Sequence, residues 1–347
     1  MPEQGEVTVL PERTGPLTRV HTHGGGSCAG CGREAQGYAT SRHAGMPPLP
    51  RGEAPMIPAA FDYLAPASLD EAIDLLGRHG PDAKILSGGM SLIPAMKIRL
   101  AEPAVIIDVN GIPGLEYLRE ADGQLHIGAM TRESAFEHSR LVRDGYPILF
   151  ETAKVIADPL VRNRATIGGN IAHADPANDH PATMLAVGAT IVARGPHGTR
   201  EIAADDFFTG FFTTALEDGE IITEIRVPTP SARNGSTYLK FERKVGDYAI
   251  AAVAVNLVVD ESGHCTAARI GLTNVSDVPM RARHAEAALI GHAMNAKAID
   301  AASREAAAEC DPKADLRGPV EYKRDLVRVL AGRAIGRAVA RAQGRTH

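Results

Sequence analysis

The stretch Ala83-Lys84-Ile85-Leu86-Ser87-Gly88-Gly89-Met90-Ser91-Leu92-Ile93-Pro94-Ala95-Met96-Lys97-Ile98-Arg99-Leu100 decides the fold. A short apolar strand runs into paired glycines, and a helix follows at once through Met96 and Leu100. Pro94 fits the first turn of that helix, where a missing N–H costs little. Glycine permits positive φ and close backbone approach. The free N–H groups at the start of the helix point toward the loop and suit a phosphate, with the Ser91 hydroxyl beside them. A second glycine loop, Thr166-Ile167-Gly168-Gly169-Asn170, adds a hydroxyl and an amide. Two such loops facing one cleft would clamp both phosphates of a dinucleotide. As a bare motif, each Gly-Gly is more often an ordinary tight turn.

The spacing excludes two common nucleotide sites. No G-x-G-x-x-G follows a strand, and no G-x-x-x-x-G-K-[ST] occurs. Outward from the first loop, Ser68 and Glu71 form the ends of a capping box before Ala72, Ile73, Leu75 and Leu76. Gly80-Pro81 ends that helix. Residues 104–109, 126–129, 183–193 and 219–227 read as strands, and residues 148–156 as a helix. Thr131 is expected to cap a helix that carries Glu133 and Glu137 on its polar side. After a linker at 228–235 come three strands, 237–243, 250–259 and 265–273, then three helices near 281–291, 296–310 and 321–342. Strands and helices in separate blocks point to an α+β fold.

The chain has 347 residues and a formal charge of −5, which gives no electrostatic reason to expect nucleic acid. No apolar run approaches the roughly 20 residues of a transmembrane segment. The first thirty residues lack the apolar core of a secretory signal, so a cytoplasmic protein is expected. Residues 1–55 are rich in Gly, Pro, Arg and His without periodicity. They read as a disordered extension or as a start assigned too early. Within them Cys28-Ala29-Gly30-Cys31 is a lone C-x-x-C with His21 and His23 nearby, and lacks the second pair of a zinc site. The four cysteines do not have iron–sulfur spacing.

Both glycine segments, the second read on through Ile171-Ala172-His173-Ala174-Asp175-Pro176-Ala177-Asn178-Asp179, resemble the FAD-binding medium subunits of molybdenum hydroxylases. This is the xanthine dehydrogenase family. The resemblance runs from Met56 to about residue 345. It is nearest to the medium-subunit type of aerobic carbon monoxide dehydrogenases, helped by Lys244-Val245-Gly246-Asp247-Tyr248-Ala249. It implies a two-subdomain PCMH/VAO-type FAD-binding domain at 56–232, divided into 56–108 and 109–232. An α+β C-terminal domain would follow at 233–347.

The resemblance also implies roles for residues. Lys84, Ser87, Gly88, Gly89, Met90, Ser91 and Leu92, with Thr166, Ile167, Gly168, Gly169 and Asn170, would hold FAD around its pyrophosphate. Asp179 would bond the ribityl chain or its neighbours. Lys240 would approach the polar edge of the isoalloxazine, Ile222 would pack near the ring, Ile156 would line the cleft, and Tyr248 would cover the ring face. Ser87 and Met90 depart from the family's usual Ala and Gln or His, which puts a side-chain contact at position 90 in doubt. No catalytic residue and no metal ligand is implied. The implied partners are a large molybdopterin subunit and a small [2Fe–2S] subunit, in a dimer of heterotrimers. The substrate and the final electron acceptor stay open.

Other readings stand beside these. Asp175 and Asp179 could staple a loop, Lys240 could be a surface charge and Tyr248 a core residue. His173 and His180 lie near carboxylates without diagnostic metal spacing. Phe207, Phe208, Phe211 and Phe212 read as a helical cluster in a core or subunit contact. The arginines of the last helix read as a solvated face. A stand-alone FAD oxidase or reductase and a phosphate-binding module without enzymatic activity are the rival functions.

Overall fold

The computed structural model describes residues 57–345, so the readings of residues 1–55 lie outside the described residues. The first unit is a three-stranded parallel sheet in the order Asp62–Leu64, Val105–Asp108, Ala83–Leu86. The helix Leu69–His79 buries Ala72 and Ile73 against it. Its start is a capping box: Ser68 Oγ accepts the Glu71 N–H at 3.2 Å, and Glu71 reaches back to the Ala67 N–H at 2.8 Å. The second unit is a five-stranded antiparallel sheet in the order Leu118–Ala121, Gln124–Gly128, Ile221–Pro228, Thr190–Gly195, Gly198–Ala203. The helices Pro147–Val155 and Asp179–Val187 contribute to its core.

The third unit is a four-stranded antiparallel sheet, Asn234–Phe241, Ala251–Val259, Cys265–Thr273 and Met280–Arg281. The helices Arg283–Leu289, Ala296–Glu309 and Val320–Ala342 cover one face. The strand Ala251–Val259 is a wall shared by two cores. Its odd-numbered side chains, Ala251, Val253, Val255, Leu257 and Val259, enter the C-terminal core, while Ala252 and Ala254 enter the core of the second unit. This follows from the two-residue period of a strand. The third sheet closes on its helices through glycine. A Cβ at Gly235 would meet the Ala338 carbonyl and, at 2.7 Å, the Ala342 nitrogen. Polar ties join the two cores as well. Glu151 accepts from Thr237 Oγ1 at 2.6 Å, from Tyr238 N at 3.0 Å and from Arg341 at 2.5 Å.

Several readings need correction. Residues 183–193 are not one strand. They complete the helix Asp179–Val187, turn at Gly188 (φ 68°) and begin the strand Thr190–Gly195. That helix is buried all round from Asp179 to Ala186, so it lacks the polar face that marks a helix in sequence. Thr131 caps nothing: its hydroxyl donates to the Tyr117 carbonyl at 3.0 Å, and Arg132 stands at the helix start without a side-chain cap. Glu133 is fully buried against His180 at 2.7 Å, not on a polar face. The second glycine loop is the opening of a helix, Ile167–His173, with Thr166 as its cap. The phenylalanines split. Phe207 and Phe208 are core residues, whereas Phe211 and Phe212 are exposed beyond the short helix Ala204–Phe207. A fourth short strand, Met280–Arg281, extends the C-terminal sheet.

Gly235→Ala should therefore lower stability by about 1–3 kcal/mol through overpacking between sheet and helix. A thermal melt beside Gly77→Ala, a position with open space around it, checks this. Equal melting temperatures would show that the helix Val320–Ala342 yields.

Candidate cofactor cleft

A cleft of about 820 Å³ runs between the three units, within the range of cofactor sites. The first glycine loop forms one wall and the start of the helix Ile167–His173 another. They touch. Thr166 Oγ1 donates to Ser87 Oγ at 3.2 Å while accepting the Gly169 N–H at 3.2 Å. A Cβ at Gly88 would meet the Arg164 carbonyl and, at 2.8 Å, Ala165 Cα. One at Gly169 would lie 2.5 Å from Ser87 Oγ, and one at Gly168 would lie 2.7 Å from Ala129. Gly89 needs glycine for its φ of 74°. Three of the four glycines thus serve contact between protein segments.

The loops are not equivalent donors. Among the described residues no hydrogen bond occupies the backbone N–H groups of Gly88, Gly89, Met90 or Ser91. The N–H groups of Ile167, Gly168, Gly169 and Asn170 are all taken, by Thr131 O, Ala129 O, Thr166 Oγ1 and Thr166 O. The expectation of two backbone nests is corrected to one nest and one side-chain wall. The helix after the first loop, Leu92–Lys97, is only six residues long, so its dipole adds little. On the second wall Asn170 Oδ1 is buried without a partner among the described residues. Its amide orientation is interchangeable, so this group can present N–H₂ to an anion. Free N–H groups on one side and an orphaned amide on the other suit a pyrophosphate.

Deeper in the cleft the strand Asn234–Phe241 places Tyr238 and Lys240 on one face. Tyr238 Oη donates to Asp179 Oδ1 at 2.6 Å. Lys240 Nζ donates to Asp179 Oδ2 at 3.0 Å and to the Val155 carbonyl at 2.9 Å, with Glu242 at 3.2 Å. Burial pushes the Asp179 carboxyl up, and the Lys240 ammonium and the Tyr238 hydroxyl oppose it. Burial also raises the Tyr238 hydroxyl well above its ordinary value, with Asp179 adding to it. Lys240 is 2% exposed, which rules out the surface-charge reading. Tyr248 is 44% exposed at the rim, which rules out the core reading.

The cleft brings together every residue that the resemblance assigns to the cofactor except Ile167. Ile167 lies fully buried in the core of the second unit. Ile156 and Ile222 are buried in the lining, and Met90 is half-buried there. Sequence reading missed Tyr238, Phe212 and the turn at Ala157. Strand alternation two residues from Lys240 was the available signal for Tyr238. Phe212 lines the cleft with its ring centroid 5.0 Å from that of His173. Ala157, at φ 44°, backs Gly246, where a Cβ would meet the Ala157 carbonyl at 2.6 Å. No sequence signal marks either. Among the described residues no three His, Cys, Asp or Glu side chains converge as metal ligands, and His180 is paired with Glu133.

Residues 59–230 match a family model described as the FAD binding domain in molybdopterin dehydrogenase, and residues 236–338 match the CO dehydrogenase flavoprotein C-terminal domain. The chain is 47% identical over 287 residues to the carbon monoxide dehydrogenase medium chain of Hydrogenophaga pseudoflava, covering 82% of this chain and 99% of that one. The chain belongs to the FAD-binding medium-subunit family of the molybdopterin dehydrogenases. The medium chain of Afipia carboxidovorans is 45% identical over 288 residues, covering 83% of this chain and 100% of that one. A solved Hydrogenophaga pseudoflava carbon monoxide dehydrogenase lacking the Mo-pyranopterin moiety matches at a TM-score of 0.81 and 49% identity, covering 82% of this chain and 99% of that chain. The family cofactor, FAD, is the cofactor of this chain.

Gly88→Ala should separate the two walls without altering any donor. An overpacking cost of about 1–3 kcal/mol, if it falls wholly on the bound state, corresponds to roughly a 5- to 150-fold loss of FAD affinity. Flavin absorbance per folded protein measures it. A folded variant with full FAD content would disprove the role of wall contact.

Proposed function

We propose that this chain is the electron-output subunit of a molybdenum hydroxylase of the carbon monoxide dehydrogenase type. A large molybdopterin subunit oxidises the substrate, carbon monoxide on this reading. A small subunit passes the electrons on through two [2Fe–2S] clusters. The complex is a dimer of heterotrimers, and the chain divides into a flavin-binding part at 56–232 and a C-terminal part at 233–347. The observation that carries the reading is the cleft itself, free backbone donors facing an orphaned amide, in a chain 47% identical to a carbon monoxide dehydrogenase medium chain.

Bound FAD supplies the redox chemistry, accepting electrons from clusters and releasing them to an external acceptor. The chain's residues bind and orient. Gly88 to Ser91 would offer their N–H groups to the pyrophosphate, and the Asn170 amide would face it from the other wall. Asp179 holds Lys240 at the inner end of the cleft, where its ammonium would serve the polar edge of a bound isoalloxazine. Ile156 and Ile222 give that end apolar walls. Tyr248 stands at the rim with an apolar face for the ring, and limits approach of the acceptor. Among the described residues no helix is long and apolar enough to cross a membrane.

Co-expression with its two partner genes is expected to give a complex with one FAD, one molybdenum and four iron atoms per heterotrimer. Recovery of an FAD-loaded chain alone, with turnover of its own substrate, would refute the assignment. Within the complex, Tyr248→Ala is expected to keep its FAD and to speed reoxidation of the reduced flavin by oxygen. Stopped-flow absorbance beside a melting curve decides: lost stability with unchanged reoxidation leaves Tyr248 a packing residue only.

A further inference from the structure

Tyr248 is exposed on a connection between strands and needs something to hold its ring in place. The turn at 244–247 is shaped by Gly246, with φ 82°, and by the Asp247 N–H donating to the Lys244 carbonyl at 3.1 Å. Asp247 Oδ1 then accepts the Tyr248 N–H at 2.8 Å, and Oδ2 accepts Arg243 Nε at 2.9 Å. These contacts fix the backbone of Tyr248 and leave the ring to other groups. One comes from a distant part of the chain. The Arg317 guanidinium carbon lies 5.7 Å from the centre of the Tyr248 ring, and Nη2 donates to Asp247 Oδ1 at 3.4 Å.

Arg317 is itself held from below. Asp315 Oδ1 accepts the N–H groups of Arg317 at 2.8 Å and Gly318 at 3.2 Å. Its Oδ2 accepts Lys323 Nζ at 2.8 Å, and that side chain is 2% exposed on the helix Val320–Ala342. A Cβ on Gly318 would lie 2.7 Å from Tyr322 Cδ1, so this turn sits tight on the helix. An isolated surface ion pair contributes little. Burying an ammonium under a surface turn is costly unless it is paired, and here the pairing fixes the residue that reaches Tyr248. Arg317 Nε is buried without a partner among the described residues, so the guanidinium is held by Asp247 and the ring face alone. Burial opposes charge on Asp247, yet Arg243, the Tyr248 N–H and Arg317 together keep its carboxyl below its ordinary range.

We propose that Arg317 is a positioning residue for Tyr248, a strut by which the C-terminal helix Val320–Ala342, through Lys323 and Asp315, holds the tyrosine over the mouth of the flavin cleft and so sets the access of electron acceptors. The proposal rests on the reading of Tyr248 as the cover of the flavin. The strut acts through a cation over an aromatic face. It touches neither the glycine loops nor the Asp179–Lys240 pair, so FAD content is unaffected by its loss.

The test uses the FAD-loaded complex and compares Arg317→Ala, Arg317→Lys, Tyr248→Ala and the double variant Arg317→Ala/Tyr248→Ala. Reoxidation of the reduced flavin by oxygen and by a dye is followed in stopped flow, with FAD content and a melting curve for each. Arg317→Ala is expected to raise the reoxidation rate about two- to five-fold at unchanged FAD content. Arg317→Lys restores part of the difference, and the double variant is no faster than Tyr248→Ala. If Tyr248→Ala is faster while Arg317→Ala matches the parent, the strut is wrong and the cover stands. If the two effects multiply in the double variant, Arg317 acts independently of Tyr248 and the proposal fails. If Tyr248→Ala leaves reoxidation unchanged, the cover falls and the strut with it. Should Arg317→Ala melt early, Lys323→Met, which removes the charge under the turn but keeps most of the bulk, is expected to give the same acceleration; its failure to do so overturns the proposal.

Discussion

The backbone contact between the two glycine segments is the constraint on which the cleft depends. Residue 88 lies against the Arg164 carbonyl with no room for a side chain, and the Thr166 hydroxyl reaches Ser87. Each segment is fixed in its own unit, one by the parallel strand Ala83–Leu86 and the other by Ala129 and Thr131 of the antiparallel unit. Their contact sets the width of the gap between walls. It also explains the unequal division of hydrogen bonds. The second segment spends its N–H groups on staying in place, and the first keeps its own free. Preorganised donors that need no rearrangement lose little entropy on binding.

The inner end of the cleft obeys a different constraint. Asp179, Tyr238 and Lys240 are all nearly excluded from water, and in such a place unpaired charge is expensive. The three satisfy one another, with the Val155 carbonyl taking a further proton of the ammonium. Asp179 comes from a helix of the second unit and the other two from the first strand of the C-terminal sheet. The polar cluster therefore ties one unit to the other alongside the shared apolar strand. On the proposed placement, a flavin there would meet a lysine whose position is already set by its protein partners.

Local features of this architecture were legible in the sequence. The Ser68–Glu71 capping box, the hairpin around 260–263 and the last two long helices come from caps, turns and apolar period, and each lies close to where it was read. The glycine segments were legible as close approaches, but not what they approach. Gly88 and Gly169 are small for the sake of each other's neighbours, 76 to 82 residues away in the chain, and a sequence does not state that distance. The same limit hid the Glu133–His180 pair, which spans 47 residues and turned an expected surface glutamate into a buried one. The helix Asp179–Val187 failed for another reason. Burial on every side removes the period that distinguishes a buried helix from a buried strand. Of the cofactor residues implied by the family resemblance, all line the cleft except Ile167, whose side chain is buried in the core of the second unit.

The C-terminal unit contributes more than closure. Lys240 reaches the inner end of the cleft from its first strand, and Gly246 to Tyr248 stand at the mouth on the connection that follows. Seven residues along the chain thus separate a buried charge inside the cleft from an exposed ring at its mouth. Between them Gly246 must press its backbone on Ala157, where both residues take positive φ. The consequence is mechanical. Any displacement of the C-terminal sheet relative to the second unit would carry Lys240 and Tyr248 together, and so move two parts of the cleft lining in one step. The ion pairs of Glu151 with Arg341 and of Asp205 with Arg269 and Arg281 oppose that displacement. Burial works against the charge on both carboxyls, but their partners outweigh it and hold them below their ordinary range. The ties are therefore complete above the usual carboxylate range near pH 4 and are lost as pH falls through and below it. At neutral pH these ties hold the C-terminal sheet, with Lys240 and Tyr248 on it, in place against the second unit.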